Sequence, residues 1–495
     1  MEVISKMLEE NLVELANKVI NQKAEEQTIE VKSANRGCPR RLYDTLSSFS
    51  NQDSGGILLF GIDETQNFKV VGVYDLQDLQ KKVTEQCLQM EPPVRAVFTV
   101  AEYDGVYICS AEIPGLDISE RPCYYTGEGR IKGSYIRVGD ADLPMTDYEL
   151  YSLEAFRKHL HDDERVVERA NLESLDQDSV TAYIEQKKID RPKFAQLPEN
   201  MMYEMLNILR NGKPTLAALL NFGIYPQGYF PQLGITAIVV PGTAIGDTTE
   251  QDVRFLDNKR IEGSLTAMVK EAIAFCVRNM KVRTVIDRTT GERKDQTEYP
   301  VAAIREAVLN AVIHRDYSFY TEGMPIQIDM FIDRMEIHSP GSLYGRMTVD
   351  QLGIAKTDIR NPALAVMAES MTEAENRYSG IPTMRNEMKA YGLPEPKFEN
   401  RRNEFVVTFY NAIETSTTET DAGIGKRSLL DFCRTPRTRK EIADFLQVKT
   451  VGYAINKYVR PLVEAGMLQM TCPERPKSRT QKYITVQQTG KSDKR

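Results

Sequence analysis

Apolar residues recur at helical spacing along Leu8, Leu12, Leu15 and Val19, which predicts an amphipathic helix over residues 1–22. The pattern then changes period. Gln27 to Lys32 alternates, and Ile57-Leu58-Leu59-Phe60 is a short continuous apolar run entered through Gly55-Gly56, so both are read as strands flanking a helix from about Arg40 to Asn51. A charged helical run is expected from Tyr148 to Asn171, and a turn at Gly212-Lys213-Pro214 leads into another helix. Further on, Leu265, Met268, Val269 and Ile273 mark one helix, and Ile304, Ala307, Val308, Ala311 and Val312 mark a second. Two alternating runs around Asp333, Ile326 to Ile332 and Arg334 to Ile337, read as a hairpin.

Composition adjusts this picture. A chain of 495 residues is long enough for several cores, and 41% apolar with 27% charged residues is ordinary for a globular protein. No apolar run approaches the ~18 residues of a membrane helix, and the acidic start lacks the features of a signal peptide, so the expected location is cytoplasmic with no membrane partner. Seven cysteines and four histidines are scattered without metal-ligand spacing. The net charge of −8 hides an asymmetry: residues 423–495 hold 16 Lys/Arg against 6 Asp/Glu, a basic end on an acidic body.

Candidate chemistry starts on the helix through Ile304. Glu306 and Asn310 are four apart and share a face, where a carboxylate and an amide can hold a hydrated Mg²⁺ and a water beside a triphosphate. Upstream, Glu30-x-Lys32, Phe49-Ser50-Asn51, Gly55-Gly56-x4-Gly61-x-Asp63, Val71-Gly72-Val73, Pro122-Cys123-Tyr124 and Gly133-x-Tyr135-Ile136-Arg137-Val138-Gly139 together resemble the Schlafen AlbA-type domain. That resemblance implies an α+β domain that binds nucleic acid, with Lys32, Arg36, Arg40, Arg41, Arg130, Lys132 and Arg137 as candidate phosphate contacts and the Gly55 and Gly56 N–H groups beside them. It also implies an alternative, since some Schlafen-like proteins are RNA nucleases: Glu25, Glu30 and Asp63 would then hold metal ions that activate water.

The order Glu-x3-Asn helix, antiparallel strands, glycine turn, variable lid, second glycine turn and helix resembles GHKL-type ATPases. Arg305-Glu306-Ala307, Asn310-Ala311, His314-Arg315-Asp316-Tyr317 and Arg360-Asn361-Pro362 resemble the C-terminal region of RecG-like ATP-binding transcriptional regulators more closely. The resemblance implies ATP and Mg²⁺ as cofactors. Asn310 would coordinate the metal, Glu306 would orient or deprotonate water in a weak ATPase, His314 and Arg315 would lie near phosphate, and Gly341, Ser379 and Gly380 would let the backbone approach the nucleotide. Two departures stand out: Ser339 occupies the place of the adenine-reading Asp, and Tyr378 that of a cradle glycine. A degenerate ATPase fold kept as a non-catalytic scaffold is therefore a further alternative.

The tail pattern of helix, turn, helix and hairpin looks like a winged helix, with Lys449, Tyr453 and Lys457 on the groove-facing helix and Arg475, Lys477 and Arg479 on the wing. The expected protein is thus α+β and multidomain. Its parts are an N-terminal helix (1–22), a Schlafen AlbA-type domain (23–150), a helical connector (151–204), a GHKL-like α/β sandwich (205–410), a linker (411–425), a winged helix (426–488) and a basic tail (489–495). The function expected is that of a bacterial regulator, homo-oligomeric, whose nucleotide state modulates engagement of DNA, or alternatively RNA.

Overall fold

The computed structural model describes residues 2–249, 251–286, 293–355, 358–371, 380–411, 429–430, 432–445, 455–464, 467–471 and 481–485. Its architecture is α+β and multidomain, with three separate sheet-based cores. Among the described residues no helix is long and apolar enough to cross a membrane.

The first core surrounds a four-stranded sheet ordered Ile29–Lys32, Gly56–Phe60, Val106–Ile113, Val97–Tyr103, with the first pair parallel and the others antiparallel. Alternation assigns its two faces. Leu58 and Phe60 pack beneath the helices Tyr43–Ser50 and Leu76–Cys87, while Leu59 points the other way, where Leu12, Ala16 and Val19 of the helix Glu2–Gln22 cover Ile29 and Val31. Gly56 is a packing requirement rather than a ligand cradle, because a Cβ there would collide with the Phe49 ring. Gly55, at φ +63, would carry its Cβ into the Ile113 carbonyl.

The second core is built on six strands ordered Asp257–Ile261, Ile235–Val239, Ile326–Met330, Arg334–Pro340, Glu404–Tyr410, Lys397–Arg401. All pairs are antiparallel except Ile235–Val239 with Ile326–Met330. The helices Leu265–Asn279, Val301–His314 and Gly380–Ala390 join one face of this sheet in a single apolar cluster, through Ile328, Ile337, Val407 and Phe409. The same cluster takes in Val180, Tyr183 and Ile184 of Gln177–Asp190, Phe222, and Leu364 of Pro362–Met371, so the stretch before residue 205 is packed into this core.

The helix expected from Tyr148 to Asn171 runs only over Asp147–Lys158. His159 closes it in the left-handed conformation, and the residues beyond are drawn into tertiary bonds that a helix would forbid. His161 Nδ1 lies 3.0 Å from the Arg360 carbonyl oxygen, and Asp163 Oδ2 accepts from the Leu364 N–H at 2.8 Å. The C-terminal part combines a short sheet ordered Arg437–Thr438, Lys482–Thr485, Leu468–Met470 with the helices Arg439–Phe445 and Arg460–Glu464 around Leu429, Ile442, Leu462 and Tyr483.

Candidate nucleotide cavity and acidic cluster

The helix Val301–His314 starts at Pro300 and buries Ala303, Ile304, Ala307, Val308, Ala311 and Val312. That stripe fixes its rotation and leaves Glu306 and Asn310 half-buried on the flank next to Gly380. A Cβ on Gly380 would stand 2.9 Å from both Glu306 Oε2 and Asn310 Nδ2, so the start of the helix Gly380–Ala390 presses directly on the pair. Ser379, with Tyr378 before it, lies outside the described residues.

A cavity of ≈ 140 Å³ opens beside this contact and follows the helix from Ala307 and Asn310 to Ala311 and His314. The strand residues Ile337, Phe405 and Val407 line it, as do Ile381 and Met384 of the helix that begins at Gly380. The first glycine turn and the loop after it supply Ser339, Gly341, Ser342, Tyr344, Asp358 and Arg360. His314 keeps accessible surface because it borders the cavity, yet protein surrounds it; desolvation, then the Arg360 cation, lowers its imidazole to about 4, so it is neutral near pH 7.

The neighbouring motif residues mostly hold the end of this helix. Asn361 Nδ2 donates to the carbonyls of Ile313 and Arg315, both at 2.8 Å, Tyr317 OH donates to Val312 O at 2.7 Å, and Ser339 Oγ donates to Ala311 O at 3.0 Å. These bonds satisfy carbonyls that a helix C-terminus otherwise leaves open. Arg315, expected near phosphate, is 2% exposed, does not line the cavity, and spends its Nη2 on the carbonyls of Thr321 and Met324 at 3.0 and 2.9 Å. Gly341, at φ +99, borders the cavity, but the space a Cβ would need is held by Arg360 and Asp316. Arg360 and Tyr344 were not singled out as site residues. The sequence signal for Arg360 is its place just before Asn361-Pro362, where a side-chain cap and a helix start fix the backbone that carries it.

The acidic residues of the first core behave differently. Glu25 and Glu30 do meet, but around Arg137, whose side chain is 1% exposed: its Nη2 lies 2.8 Å from Glu30 and 3.7 Å from Glu25, its Nη1 3.0 Å from Asp142. Burial, reinforced by the Glu30 charge, raises Glu25 to about 7 despite the Val31 N–H it accepts. Asp63 does not join them: it caps the turn Glu64–Gln66, accepting from Thr65 and Gln66, which hold its pKa down. Among the described residues no three His, Cys, Asp or Glu side chains converge to hold a metal ion. Glu306 and Asn310 supply one carboxylate and one amide, a set that suits Mg²⁺ when phosphate oxygens complete its shell.

Several expected phosphate contacts have other roles. Arg137 is the buried hub just described; Lys32 pairs with Glu30, Arg41 with Asp44 and Glu128, and Arg130 with Glu154. Arg36, Arg40 and Lys132 are exposed. Lys449, Tyr453, Arg475, Lys477, Arg479 and the side chain of Lys457 lie outside the described residues.

Residues 25–146 match the family model described as Schlafen, AlbA_2, and residues 323–409 match that of the putative ATP-dependent DNA helicase recG C-terminal. Residues 427–485 match the C-terminal domain of filamentation induced by cAMP protein Fic-like, and residues 153–235 a domain of unknown function. Among solved structures, the DIP2311 protein from Corynebacterium diphtheriae is 19% identical, with 94% of this chain and 93% of that one covered at a TM-score of 0.39. The N-terminal domain of a putative ATP-dependent DNA helicase RecG-related protein from Nitrosomonas europaea is 24% identical, covering 27% of this chain and 93% of that one at a TM-score of 0.23. No curated protein matches. The chain thus carries a segment similar to the Schlafen AlbA_2 domain followed by one similar to the RecG C-terminal domain.

Proposed function

We propose that this is an ATP-binding, nucleic-acid-associated regulator in which the occupancy of the central cavity modulates how the chain engages DNA. The observation that carries the reading is a cavity that runs from Asn310 past His314 to the turn at Gly341, with Gly380 packed on Asn310 and Glu306 next to it. In this reading Asn310 is the metal-holding amide, Glu306 orients or deprotonates water, and the Gly380 backbone admits phosphate where a side chain would block it. Magnesium, when bound, neutralises charge on the phosphates.

A route to the nucleic-acid ends is supported by the cavity wall itself. Arg346, in the wall loop, makes a two-pronged pair with Asp117 of the AlbA_2 domain at 3.0 and 3.2 Å, and Tyr344 packs edge-on against Phe156 at 5.4 Å between ring centroids. Arg402 grips Glu149 at 3.0 and 3.1 Å. A ligand that shifts residues 341–360 therefore acts on both sides of this contact. The exposed Arg36, Arg40 and Lys132 and the basic residues of the stretch 423–495, in the winged helix proposed over 426–488, are the proposed DNA contacts, in a cytoplasmic homo-oligomer.

Titration calorimetry of ATP against the native protein and Asn310→Ala, with and without Mg²⁺, tests the reading. Native protein binds, and the variant loses about tenfold or more of the magnesium-dependent affinity. Absence of binding to the native protein, or identical binding by the variant, overturns it.

A further inference from the structure

The cavity carries different polar groups along its length. Glu306 and His314 are eight positions apart on one helix, so about 12 Å separates them along its axis. One end presents the Asn310 amide, with Glu306 one turn before it on the helix. Toward His314 and the loop the lining carries Arg360, the one lysine or arginine among the described residues that line the cavity, and the carboxylate Asp358 two positions before it.

Arg360 is 8% exposed, and its guanidinium is half used. Nη2 donates to the Ser342 carbonyl at 2.8 Å. Nη1 has no hydrogen-bond acceptor among the described residues; its nearest anion, Asp316 Oδ2, stands 3.7 Å away and already accepts from Tyr148 OH at 2.7 Å. The guanidinium carbon lies over the Tyr344 ring, 5.1 Å from its centroid, and Nη1 packs on Gly341, itself in the cavity wall. Nη1 is enclosed against Gly341 and compensated only by the ion pair at 3.7 Å, and a ligand oxygen that reached it past Gly341 would supply the missing acceptor. The hydroxyl of Ser339, which stands beside it, has its proton committed to Ala311 O.

We propose that Arg360 forms a subsite for an oxygen acceptor of the bound ligand, either the keto oxygen of a nucleobase or a phosphate oxygen. The inference rests on the reading of this cavity as a nucleotide site. An adenine edge, whose exocyclic amine is a donor, matches this end poorly; a guanine edge, with its keto oxygen, matches it well. A ligand lying in the reverse sense would bring phosphate oxygens here.

Calorimetry on the full chain with ATP, GTP and inorganic tripolyphosphate, each with Mg²⁺, for native protein, Arg360→Met and Arg360→Lys, tests this. Loss of the charged contact weakens the ligand that uses it by about tenfold to a hundredfold, and lysine restores part of the loss. If the keto oxygen is the partner, native protein prefers GTP over ATP and Arg360→Met abolishes the preference. If phosphate is the partner, tripolyphosphate binds and Arg360→Met weakens all three ligands alike. The proposal is overturned if a variant that melts like the native protein binds all three unchanged, or if native protein prefers ATP over GTP and does not bind tripolyphosphate. Should Arg360→Met fail to fold, Arg360→Lys and the native ligand series decide by the same criteria. No binding of any ligand to native protein overturns the nucleotide reading as well; binding indifferent to Arg360 overturns the subsite only.

Discussion

The charged knot of the AlbA_2 domain and the cavity of the central sheet both gather acidic, basic and amide side chains from distant parts of the chain, yet one is closed and the other is not. At Arg137 three carboxylates, Glu25, Glu30 and Asp142, stand within 3.7 Å of the terminal nitrogens and the group sits on the Phe49 ring at 5.2 Å, although Nε has no hydrogen-bond partner among the described residues. At Arg360 one carboxylate, Asp316, stands 3.7 Å from Nη1, which has no hydrogen-bond acceptor among the described residues, and ≈ 140 Å³ of open space lies beside the side chain. Charge compensation without a void makes architecture. A void bordered by a cation with a single carboxylate nearby and by the Asn310 amide leaves room for a ligand.

The largest expected effect breaks the closed side. Arg137→Met leaves buried carboxylates without their cation and lowers the unfolding free energy of the AlbA_2 domain by about 3–5 kcal/mol, read by urea denaturation. A change below about 1 kcal/mol would mean that the knot is solvated and open to ligands after all. A smaller effect probes the open side. Gly380→Ala places a methyl group against Glu306 and Asn310; helix propensity favours alanine by up to about 1 kcal/mol, so the melting temperature holds while nucleotide affinity falls about tenfold. Unchanged affinity would show that ligands do not use that contact. The smallest effect is a pH dependence. Glu25 has a folded pKa of about 7 against an ordinary 4.5, so the folded state binds the extra proton; the associated stability is present below 4.5 and is lost as pH rises through 7. Glu25→Gln flattens the stability profile across that window, measured by denaturation at stepped pH, and an unaltered slope would remove Glu25 as its source.

Much of the scaffold was legible from period alone. The hairpin around Asp333 and the apolar stripe of Val301–His314 need no distant information, because each buries one face against whatever lies beneath. The roles of individual charges were not. Arg137 and Arg315 read as phosphate contacts because an arginine's sequence neighbourhood does not reveal Glu25, more than a hundred positions from Arg137, or the Thr321 and Met324 carbonyls brought over Arg315 by a loop. Asn361 and Tyr317 likewise looked like site signature residues and are bonded to the end of the helix. The helix ending at Lys158 was overextended for a related reason: its sequence tolerates more turns, and the tertiary bonds of His161 and Asp163 end it.

The loop that walls the cavity also has a bearing on modularity. Tyr344 faces the cavity and touches Phe156, while Arg346 stacks on that same Phe156 ring at 5.4 Å and reaches Asp117. Cutting the chain between its two family-matched halves would strip one wall of the cavity of its backing and leave an aromatic surface bare on the severed piece. A crossover that separated Asp117 and Phe156 from Tyr344 and Arg346 would break the same contact.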